Sequence, residues 1–370
     1  MKKERKLSPL EIKLNNLVTK YLTRIPFVQK IFFIDHLKVM IHAGLSVTEA
    51  LNTLSKEIEN KKLKGIIAEI SIGVEKGRQL SEVLAEHPKA FPPIYVKMIE
   101  SGELSGKLEE SLEQVVMQMQ KTQELNSSIR GAMIYPSIIL VAMGGIGLMM
   151  VTVVLPKLMT LFEEFDADLP LATEVLIKIT DFMEKPLNMI SLLIVIGFSI
   201  TAFIMSLKKF PEFRRLIHKI NLHTPIFGAV IKKINLARFS LTLSSLLKST
   251  IPIVEATDIT AETCGNVLYR EFLHEAAEKI KSGTPLSEIL VEQHYLFPPM
   301  VTEMIMVGER SGEIDQLLQE LANFYSDEVD KTMKNFTQII EPVIILLLGL
   351  AVAVIAMAVI MPMYTLVQSF

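Results

Sequence analysis

The sequence predicts an all-α membrane protein built from two copies of one helical domain and three transmembrane helices. Three observations carry this prediction: the chain repeats itself at a fixed offset, three long segments hold no charged residue, and apolar residues recur at helical spacing without strand-like alternation. Hydrophobic residues make up 50% of the 370 residues and charged residues 21%. Apolar and charged residues are therefore segregated along the chain, which excludes an ordinary soluble protein.

The repeat keeps one offset along the chain. Phe91-Pro92-Pro93 returns as Phe297-Pro298-Pro299, 206 positions later, and Gly102-Glu103-Leu104-Ser105-Gly106 returns as Gly308-Glu309-Arg310-Ser311-Gly312. Further pairs at this offset are Phe33 and Phe239, Gly77 and Gly283, Ser81 and Ser287, Pro136 and Pro342, and Pro156 and Pro362. One helical unit with its membrane segment was duplicated without insertions.

The N-terminal residues 1–31 are predicted to form a basic amphipathic segment. Lysines and arginines flank an apolar stripe of helical spacing, made of Leu7, Leu10, Leu14, Leu17 and Tyr21. This pattern lacks the apolar core of a signal peptide, so we expect no cleaved leader. The segment either binds a membrane surface or partner, or packs on its own domain.

Two cytoplasmic helical domains are expected at residues 32–132 and 208–338. Glycines and prolines such as Gly44, Gly73 and His87-Pro88 divide the first into about five or six short helices. An all-helical bundle is the natural architecture for each domain. Thr250 occupies the position of Gly44 in the second domain, so the first helix there is predicted to end differently.

Three transmembrane helices are predicted at residues 133–156, 187–207 and 339–362. Their centres, residues 137–155, 187–207 and 343–361, contain no Asp, Glu, Lys or Arg. A helix of nineteen such residues is about 28 Å long, close to the roughly 30 Å of a bilayer core. Pro136 and Pro342 mark the predicted entry points and Pro156 and Pro362 the exits, where proline fits a first helical turn or a kink.

The distribution of basic residues predicts the topology. Lysines and arginines follow the second span, whereas the loop at residues 157–186 is rich in acidic residues. By the positive-inside rule both helical domains and the N-terminus lie in the cytoplasm, and the loop and the tail at residues 363–370 lie outside. The unrepeated span at residues 187–207 returns the chain, so that both copies have the same orientation.

The Gly-Glu-x-Ser-Gly elements are the candidate partner-binding turns. Gly102, Glu103 and Gly106, with Gly308, Glu309 and Gly312, lie between two amphipathic helices. Glycine permits a left-handed cap, and Ser105 and Ser311 can accept from N–H groups of the next helix. A tight structural turn explains the pattern; alternatively, the glutamates present carboxylates to a partner.

No motif predicts a catalytic residue, a cofactor or a metal site. The segment from Gly102 to Lys107 has too few residues between its glycines for a phosphate-binding loop, and Glu278 stands where a zinc-protease helix beginning at His274 needs histidine. A calcium site made of several carboxylates stays open. Cys264, the single cysteine, is expected to be a buried small hydrophobe. A net charge of −3 does not favour nucleic-acid binding.

These motifs in this order resemble the family of inner-membrane platform proteins of type IV pilus and type II secretion machines. The resemblance rests on Phe-Pro-Pro, Gly-Glu-x-Ser-Gly and the proline that opens a span, each present twice, and on Thr224-Pro225-Ile226-Phe227-Gly228 before the second copy. It covers the chain from about Phe32 onward.

The resemblance implies two six-helix cytoplasmic domains, three spans in a bacterial inner membrane and no enzymatic activity. Its implied partners are a cytoplasmic hexameric assembly ATPase, pilin or pseudopilin subunits, other inner-membrane assembly proteins, membrane lipid and further copies of the chain. The runner-up hypothesis is a transporter with duplicated cytoplasmic regulatory domains. The uncharged spans argue against it, because ion and substrate pathways normally contain ionisable residues.

Overall fold

The computed structural model describes residues 25–154, 156, 178, 182, 186–225 and 227–368. The predicted N-terminal amphipathic stripe, most of the predicted outer loop and the last two residues lie outside the described residues. None of the described residues is in a β-strand. The fold-class prediction, an all-α protein with two homologous helical domains, is confirmed.

Six helices make up the first copy. They are α1 (Phe27–His42), α2 (Val47–Glu57), α3 (Lys61–Glu75), α4 (Leu80–Ala85), α5 (Pro93–Ser105) and α6 (Leu108–Met149), which continues as a π-helix at Met150–Val154.

Helices α7 (Pro186–Lys209) and α8 (Pro211–His223) precede the second copy. Its six helices are α9 (Phe227–Lys248), α10 (Ile253–Thr263), α11 (Val267–Lys281), α12 (Leu286–Val291), α13 (Pro299–Ser311) and α14 (Ile314–Gln368).

Both copies use the same boundary chemistry. Pro93 and Pro299 occupy the first turn of α5 and α13, where a missing N–H costs no helical hydrogen bond. Gly106 and Gly312 end these helices at φ 71° and 78°, the left-handed region in which glycine has no steric penalty. The shared sequence motifs therefore set where α5 and α13 begin and end.

The core of each copy is built around a pair of phenylalanines that the repeat preserves. Phe33 of α1 and Phe91, before α5, are at most 2% exposed, with ring centroids 5.7 Å apart. Phe239 and Phe297 form the equivalent pair at 5.2 Å. The first phenylalanine of Phe-Pro-Pro thus anchors the start of α5 or α13 to the first helix of its copy.

The described residues fall into two compact units. One comprises the described residues up to Ser127 together with Ile231–Val329, and the other Ser128–Val230 and Asp330–Phe370. The first unit therefore holds the short helices of both copies, α1–α5 and α10–α13, with most of α9 and the first parts of α6 and α14.

The second unit contains the apolar helical segments. In the part of the chain that the structure describes, three helices are long and apolar enough to cross a membrane, at Leu108–Met149, Ile190–Lys209 and Ile314–Leu350. Within this unit the Thr337 hydroxyl lies 3.5 Å from the Ala132 carbonyl oxygen, and the Phe227 and Phe336 rings are 5.3 Å apart. Most side chains of the three segments are exposed in the protein alone, as expected for helices surrounded by lipid.

The prediction that the first helix of the second copy ends differently is wrong. Thr250 has φ 60°, the same left-handed region as Gly44 at 90°. The closing bonds are equivalent: the Leu45 N–H donates to the Met40 carbonyl, and the Ile251 N–H donates to the Leu246 carbonyl. Tertiary context therefore holds a β-branched residue in a conformation that is normally unfavourable for it.

Candidate functional site

The two Gly-Glu-x-Ser-Gly elements occupy the last turn of α5 and of α13. The first glutamate, Glu103, is half-buried. Its carboxylate accepts hydrogen bonds from the Leu80 N–H at 2.6 Å and the Ser81 N–H at 2.8 Å. These groups begin α4, so Glu103 supplies acceptors and a negative charge to a helix N-terminus of its own copy.

Glu309 performs the same task in the second copy. Its carboxylate accepts from the Leu286 N–H at 2.7 Å and the Ser287 N–H at 3.2 Å, at the start of α12. The Ser287 hydroxyl also donates to it. The recurrence of the glutamate thus has a structural explanation in both copies, and its role toward a partner stays a prediction.

The first glycine of each element permits close approach of the next helix. A Cβ on Gly102 would lie 2.2 Å from the Cβ of Ser111, and a Cβ on Gly308 would lie 2.7 Å from the Cα of Ile314. Such distances are far below van der Waals contact. Both positions therefore need glycine for packing, whatever other function the turn has.

The serines of the two elements differ. The Ser311 hydroxyl accepts from the N–H of Glu313, the residue before α14, at 3.3 Å. The Ser105 hydroxyl instead donates to the Ser101 carbonyl at 2.8 Å, so the prediction is wrong for the first copy. The variable middle residues face outward: Leu104 is 71% exposed, and Arg310 is exposed too.

The first-copy turn also borders a contact between the two copies. Lys97 of α5 forms an ion pair with Glu255 of α10 at 2.9 Å, and the Ser101 hydroxyl donates to the Ser249 carbonyl at 2.7 Å. The hydrogen bond to Glu255 is the main reason that the pKa of Lys97 is raised. A polar cleft of about 220 Å³ lies beside these groups, lined by residues of the turn and by Lys248, Ser249 and Thr250.

Helices α6 and α9 extend this contact. The Ser245 hydroxyl donates to the Gln118 side chain at 2.7 Å, and Arg238 donates to Asn126 at 3.1 Å. Burial lowers the pKa of the Arg238 guanidinium. Lys121 of α6 lies 3.3 Å from the Asn323 side-chain oxygen of α14.

Sequence reasoning missed this contact between the copies. A signal was present, because the contact residues differ sharply from their repeat partners. Ser101 corresponds to Val307, Gln118 to Phe324, Arg238 to Phe32 and Ser245 to Val39. Matched positions indicate the fold that the copies share, whereas a change from polar to apolar indicates a difference in surroundings.

The boundary prolines lie in helical backbone. Pro136 is inside α6, and α14 runs without a break through Pro342 and Pro362 to Gln368. Pro136 and Pro342 are therefore not in a first helical turn. Their assignment as membrane entry points, with Pro156 and Pro362 as exits, stays a prediction.

The described residues also show the surroundings of the remaining candidate groups. Among them no group of three or more His, Cys, Asp or Glu side chains could hold a metal ion. Cys264 is buried, as predicted, and burial raises the pKa of its thiol to about 12. The thiol is therefore protonated and unreactive at neutral pH.

Comparison with known proteins gives consistent matches over most of the chain. Residues 33–156 and 239–362 each match the family described as Type II secretion system (T2SS), protein F. The chain is 35% identical to a type IV pilus assembly protein, PilC, of Thermus thermophilus, over 90% of this chain and 82% of that protein.

Two further relatives lead to the same family. One is the type IV pilus assembly protein PilC of Myxococcus xanthus, 32% identical over 90% of this chain and 79% of the relative. The other is the type II secretion system protein F of Aeromonas hydrophila, 32% identical over 88% and 83%.

Proposed function

Because this chain belongs to the type II secretion system protein F family, we propose that it is the non-enzymatic inner-membrane platform of a type IV pilus or type II secretion machine. In this role it couples a cytoplasmic hexameric assembly ATPase to the insertion of pilin or pseudopilin subunits into a filament. The observation that carries the proposal is the duplicated helical domain, matched twice by the family, in a chain with three apolar helices.

The proposed topology places both copies and the N-terminus in the cytoplasm and the C-terminus outside. It is supported by the basic residues that follow the second span, including Lys208 and Lys209 at the end of α7. Thiol-accessibility labelling of single cysteines tests it. A cysteine in residues 157–186 should react with a membrane-impermeant maleimide in intact cells, and one at Leu104 only after lysis.

The proposed partners are the ATPase, the filament subunits, other inner-membrane assembly proteins, lipid and further copies of the chain. The duplicated domain supports several partners, because it offers two similar but unequal surfaces. The first-copy turn borders the second copy, whereas Arg310 of the second-copy turn and Val307, the residue before that turn, are exposed. The second-copy turn is therefore the better candidate for contact with another protein.

A clean deletion strain tests the platform role. We expect loss of filaments or of secretion while the pilin or pseudopilin is still synthesised, and recovery on expression of the full chain. Normal assembly in the deletion strain would overturn the proposal. Substrate flux in proteoliposomes of the purified chain would favour a transporter, and ATP hydrolysis by the purified chain would contradict a non-enzymatic role.

The predicted partner role of Glu103 and Glu309 needs variants that keep the helix caps. A Glu→Gln change removes the charge but leaves a side-chain oxygen able to accept a backbone N–H. If a partner reads the charge, Glu309→Gln should reduce copurification of the assembly ATPase while the protein stays folded. Unchanged copurification and filament assembly in Glu103→Gln and Glu309→Gln would leave the glutamates with the capping role alone.

A further inference from the structure

The contact between the two copies is one-sided. The first copy contributes α5 and α6, through Lys97, Ser101 and Gln118. The second copy contributes α9, α10 and the turn that joins them, through Ser245 and Glu255. Apart from the contact of Lys121 with Asn323 of α14, the two homologous domains use different surfaces, so the contact is head-to-tail and leaves most of one surface of each domain without a partner in the chain.

The two unused surfaces follow from the 206-residue offset. The counterpart of the α9 surface is a face of α1 and the turn after it, which we call the α1 face; it consists of Phe32, Val39, Ala43 and Leu45. The counterpart of the α5–α6 surface is the α13–α14 face, which consists of Glu303, Val307 and Phe324. Within one chain the described residues of both faces are exposed, Phe32 by 56%, Val39 by 53%, Val307 by 57% and Phe324 by 44%.

Both unused faces are more apolar than the surfaces that meet within the chain. Ser245 and Gln118, which form a hydrogen bond within the chain, have Val39 and Phe324 as their repeat partners. The repeat partner of Ser101 is Val307. Ile251, which lines a cleft together with Lys97 and Ser101 of the first copy, is 6% exposed, whereas its counterpart Leu45 is 37% exposed. Several large apolar side chains at matched positions on two exposed faces are typical of surfaces that become buried on association.

The composition of α1 supports the same conclusion. Its inner side contributes Phe33, Ile34 and Leu37 to the core, and its outer side still presents Phe32 and Val39. A helix that is apolar on opposite sides is normally buried on both. Its counterpart α9 carries the polar residues Arg238 and Ser245 on the second side, and there the first copy contacts it.

We infer that the α13–α14 face of one chain binds the α1 face of a second copy of this chain, and so repeats between chains the contact made within each. Val39 of one chain then lies beside Phe324 of the next, as Ser245 lies beside Gln118. Because the contact is head-to-tail, each chain binds one neighbour through its α1 face and another through its α13–α14 face. Successive copies therefore form a closed ring or an open row.

The charges predict that this contact is weaker than the one within the chain. The pair formed by Lys97 and Glu255 corresponds to Glu303 and Glu49, two like charges. Glu49 is held in a capping box, accepting from the Ser46 N–H at 3.0 Å, whereas Pro252 at the equivalent position leaves Glu255 free to pair with Lys97. Apolar contact must therefore supply the attraction, against a modest repulsion in water.

Cross-linking between differently tagged full-length chains in native membranes tests the inference. One chain carries Val39→Cys and the other Phe324→Cys, and a short bis-maleimide joins thiols that lie close together. Native Cys264 can remain, because it is buried. We expect a covalent product containing both tags when the two variants are coexpressed, and none above background from either variant alone.

Matched controls define the geometry. Gln118→Cys with Ser245→Cys in one chain should cross-link within the chain, as a positive control. A negative control uses Ile72→Cys in place of Val39→Cys. Ile72 is an apolar residue of α3 with a similar exposure of 51%, and its cysteine should give no product with Phe324→Cys. Phe324→Glu should lower the yield from an adjacent reporter pair, Val307→Cys with Ala43→Cys, by about tenfold, which corresponds to 1.4 kcal/mol.

Two results would overturn the inference. Efficient cross-linking of Val39→Cys chains to one another would show a symmetric contact instead. Capture of Val39→Cys by Leu14→Cys within the same chain, without the product from Val39→Cys and Phe324→Cys, would show that the N-terminal segment covers the α1 face.

A charge change gives an independent readout. Glu303→Lys places a positive charge, like that of Lys97 within the chain, opposite Glu49 of the next chain. This change should raise the cross-linking yield at low salt, and Glu49→Lys in the partner should cancel the gain. No change in yield for Glu303→Lys would contradict the proposed register.

This inference deepens the proposed self-association and does not depend on the filament role. If the cross-links form but deletion of the gene for this chain leaves filaments intact, only the proposed function is contradicted. If deletion abolishes filaments but the cross-links do not form, only the inference is contradicted.

Discussion

The first helix of the first copy and the first helix of the second share a frame but not an environment. Both place a buried phenylalanine, Phe33 or Phe239, against the phenylalanine of Phe-Pro-Pro. The opposite side of α9 is covered by the first copy, whereas the opposite side of α1 exposes Phe32 and Val39. Matching residues such as the paired phenylalanines form the core of each bundle, whereas most residues of the contact between the copies differ from their repeat partners.

The largest expected difference between the copies concerns their central phenylalanines. Phe297→Ala should lower the free energy of unfolding by about 3–5 kcal/mol, the usual cost of emptying a large buried aromatic site. Phe91→Ala should cost less, because Phe297 contacts the rings of Phe239, Tyr269 and Phe272, whereas Phe91 contacts that of Phe33. Pulse proteolysis of the full chain in detergent across a urea series measures both values.

Leu104→Ala is the control for this comparison, because a side chain that is 71% exposed should change stability by less than about 0.5 kcal/mol. A greater loss for Phe91→Ala than for Phe297→Ala would show that ring contacts do not distinguish the copies.

The first glycines of the two turns come next. Gly102→Ala and Gly308→Ala should each cost about 1–3 kcal/mol, because the new methyl group overlaps the following helix. Ser111→Gly should rescue Gly102→Ala in part, because the clash is with the Ser111 side chain. Gly308→Ala should be harder to rescue by changing a neighbouring side chain, because the closest atom to the new methyl group is the backbone Cα of Ile314.

Gly65→Ala is the matched control for the glycines. Gly65 lies inside α3, and a Cβ there would meet no atom within 4 Å, so alanine should be neutral or stabilising by up to about 1 kcal/mol. Equal losses at Gly65, Gly102 and Gly308 would mean that close helix packing is not the cause.

Removal of the capping carboxylates should have a smaller effect. Glu309→Ala and Glu103→Ala should each destabilise the start of the short capped helix by about 1 kcal/mol, as for other helix caps. The Glu309 change should cost more, because the Ser287 hydroxyl also donates to this carboxylate. Faster hydrogen exchange at the amides of Ser287 and Ser81 is the measurement.

Unchanged exchange at both amides in the alanine variants would contradict the capping role. Such a result would return the glutamates to the partner-binding hypothesis alone.

The smallest expected effects come from exchanging Thr250 and Gly44. Thr250→Gly should stabilise the protein by about 1 kcal/mol and Gly44→Thr should destabilise it by a similar amount, because a β-branched residue is disfavoured at positive φ. A Cβ at Gly44 meets no atom within 4 Å, so the cost there arises from the backbone alone. Opposite shifts in the urea midpoint of the two variants would support the comparison. A lower midpoint for Thr250→Gly would mean that the contact between the Thr250 and Ser101 hydroxyls stabilises the protein more than the backbone strain destabilises it.

Much of the local structure could be predicted from the sequence. The offset of 206 residues, the apolar segments and the positions of glycine and proline indicated the duplicated bundles, the three long apolar helices and the turns before α6 and α14. These features depend on backbone conformation and on hydrophobic periodicity, which are encoded over short stretches of chain.

The partners of individual side chains could not be predicted in the same way. Glu103 and Leu80 are 23 positions apart, and Gln118 and Ser245 are 127 apart. Nothing in the local pattern distinguishes a glutamate that caps a helix from one that faces solvent. The prediction for the end of α9 at Thr250 was wrong because the strain there is tolerated only in its tertiary context.

The sequence by itself determined the fold class, the duplication and the apolar segments, because each is recognised from the order of residues along the chain without knowing which residues meet in space. Only the tertiary structure decided that the turn glutamates cap a neighbouring helix and that the copies meet head-to-tail. The physical reason is that such contacts require residues distant in sequence to meet at hydrogen-bond distance, and packing of the whole unit selects which of them do.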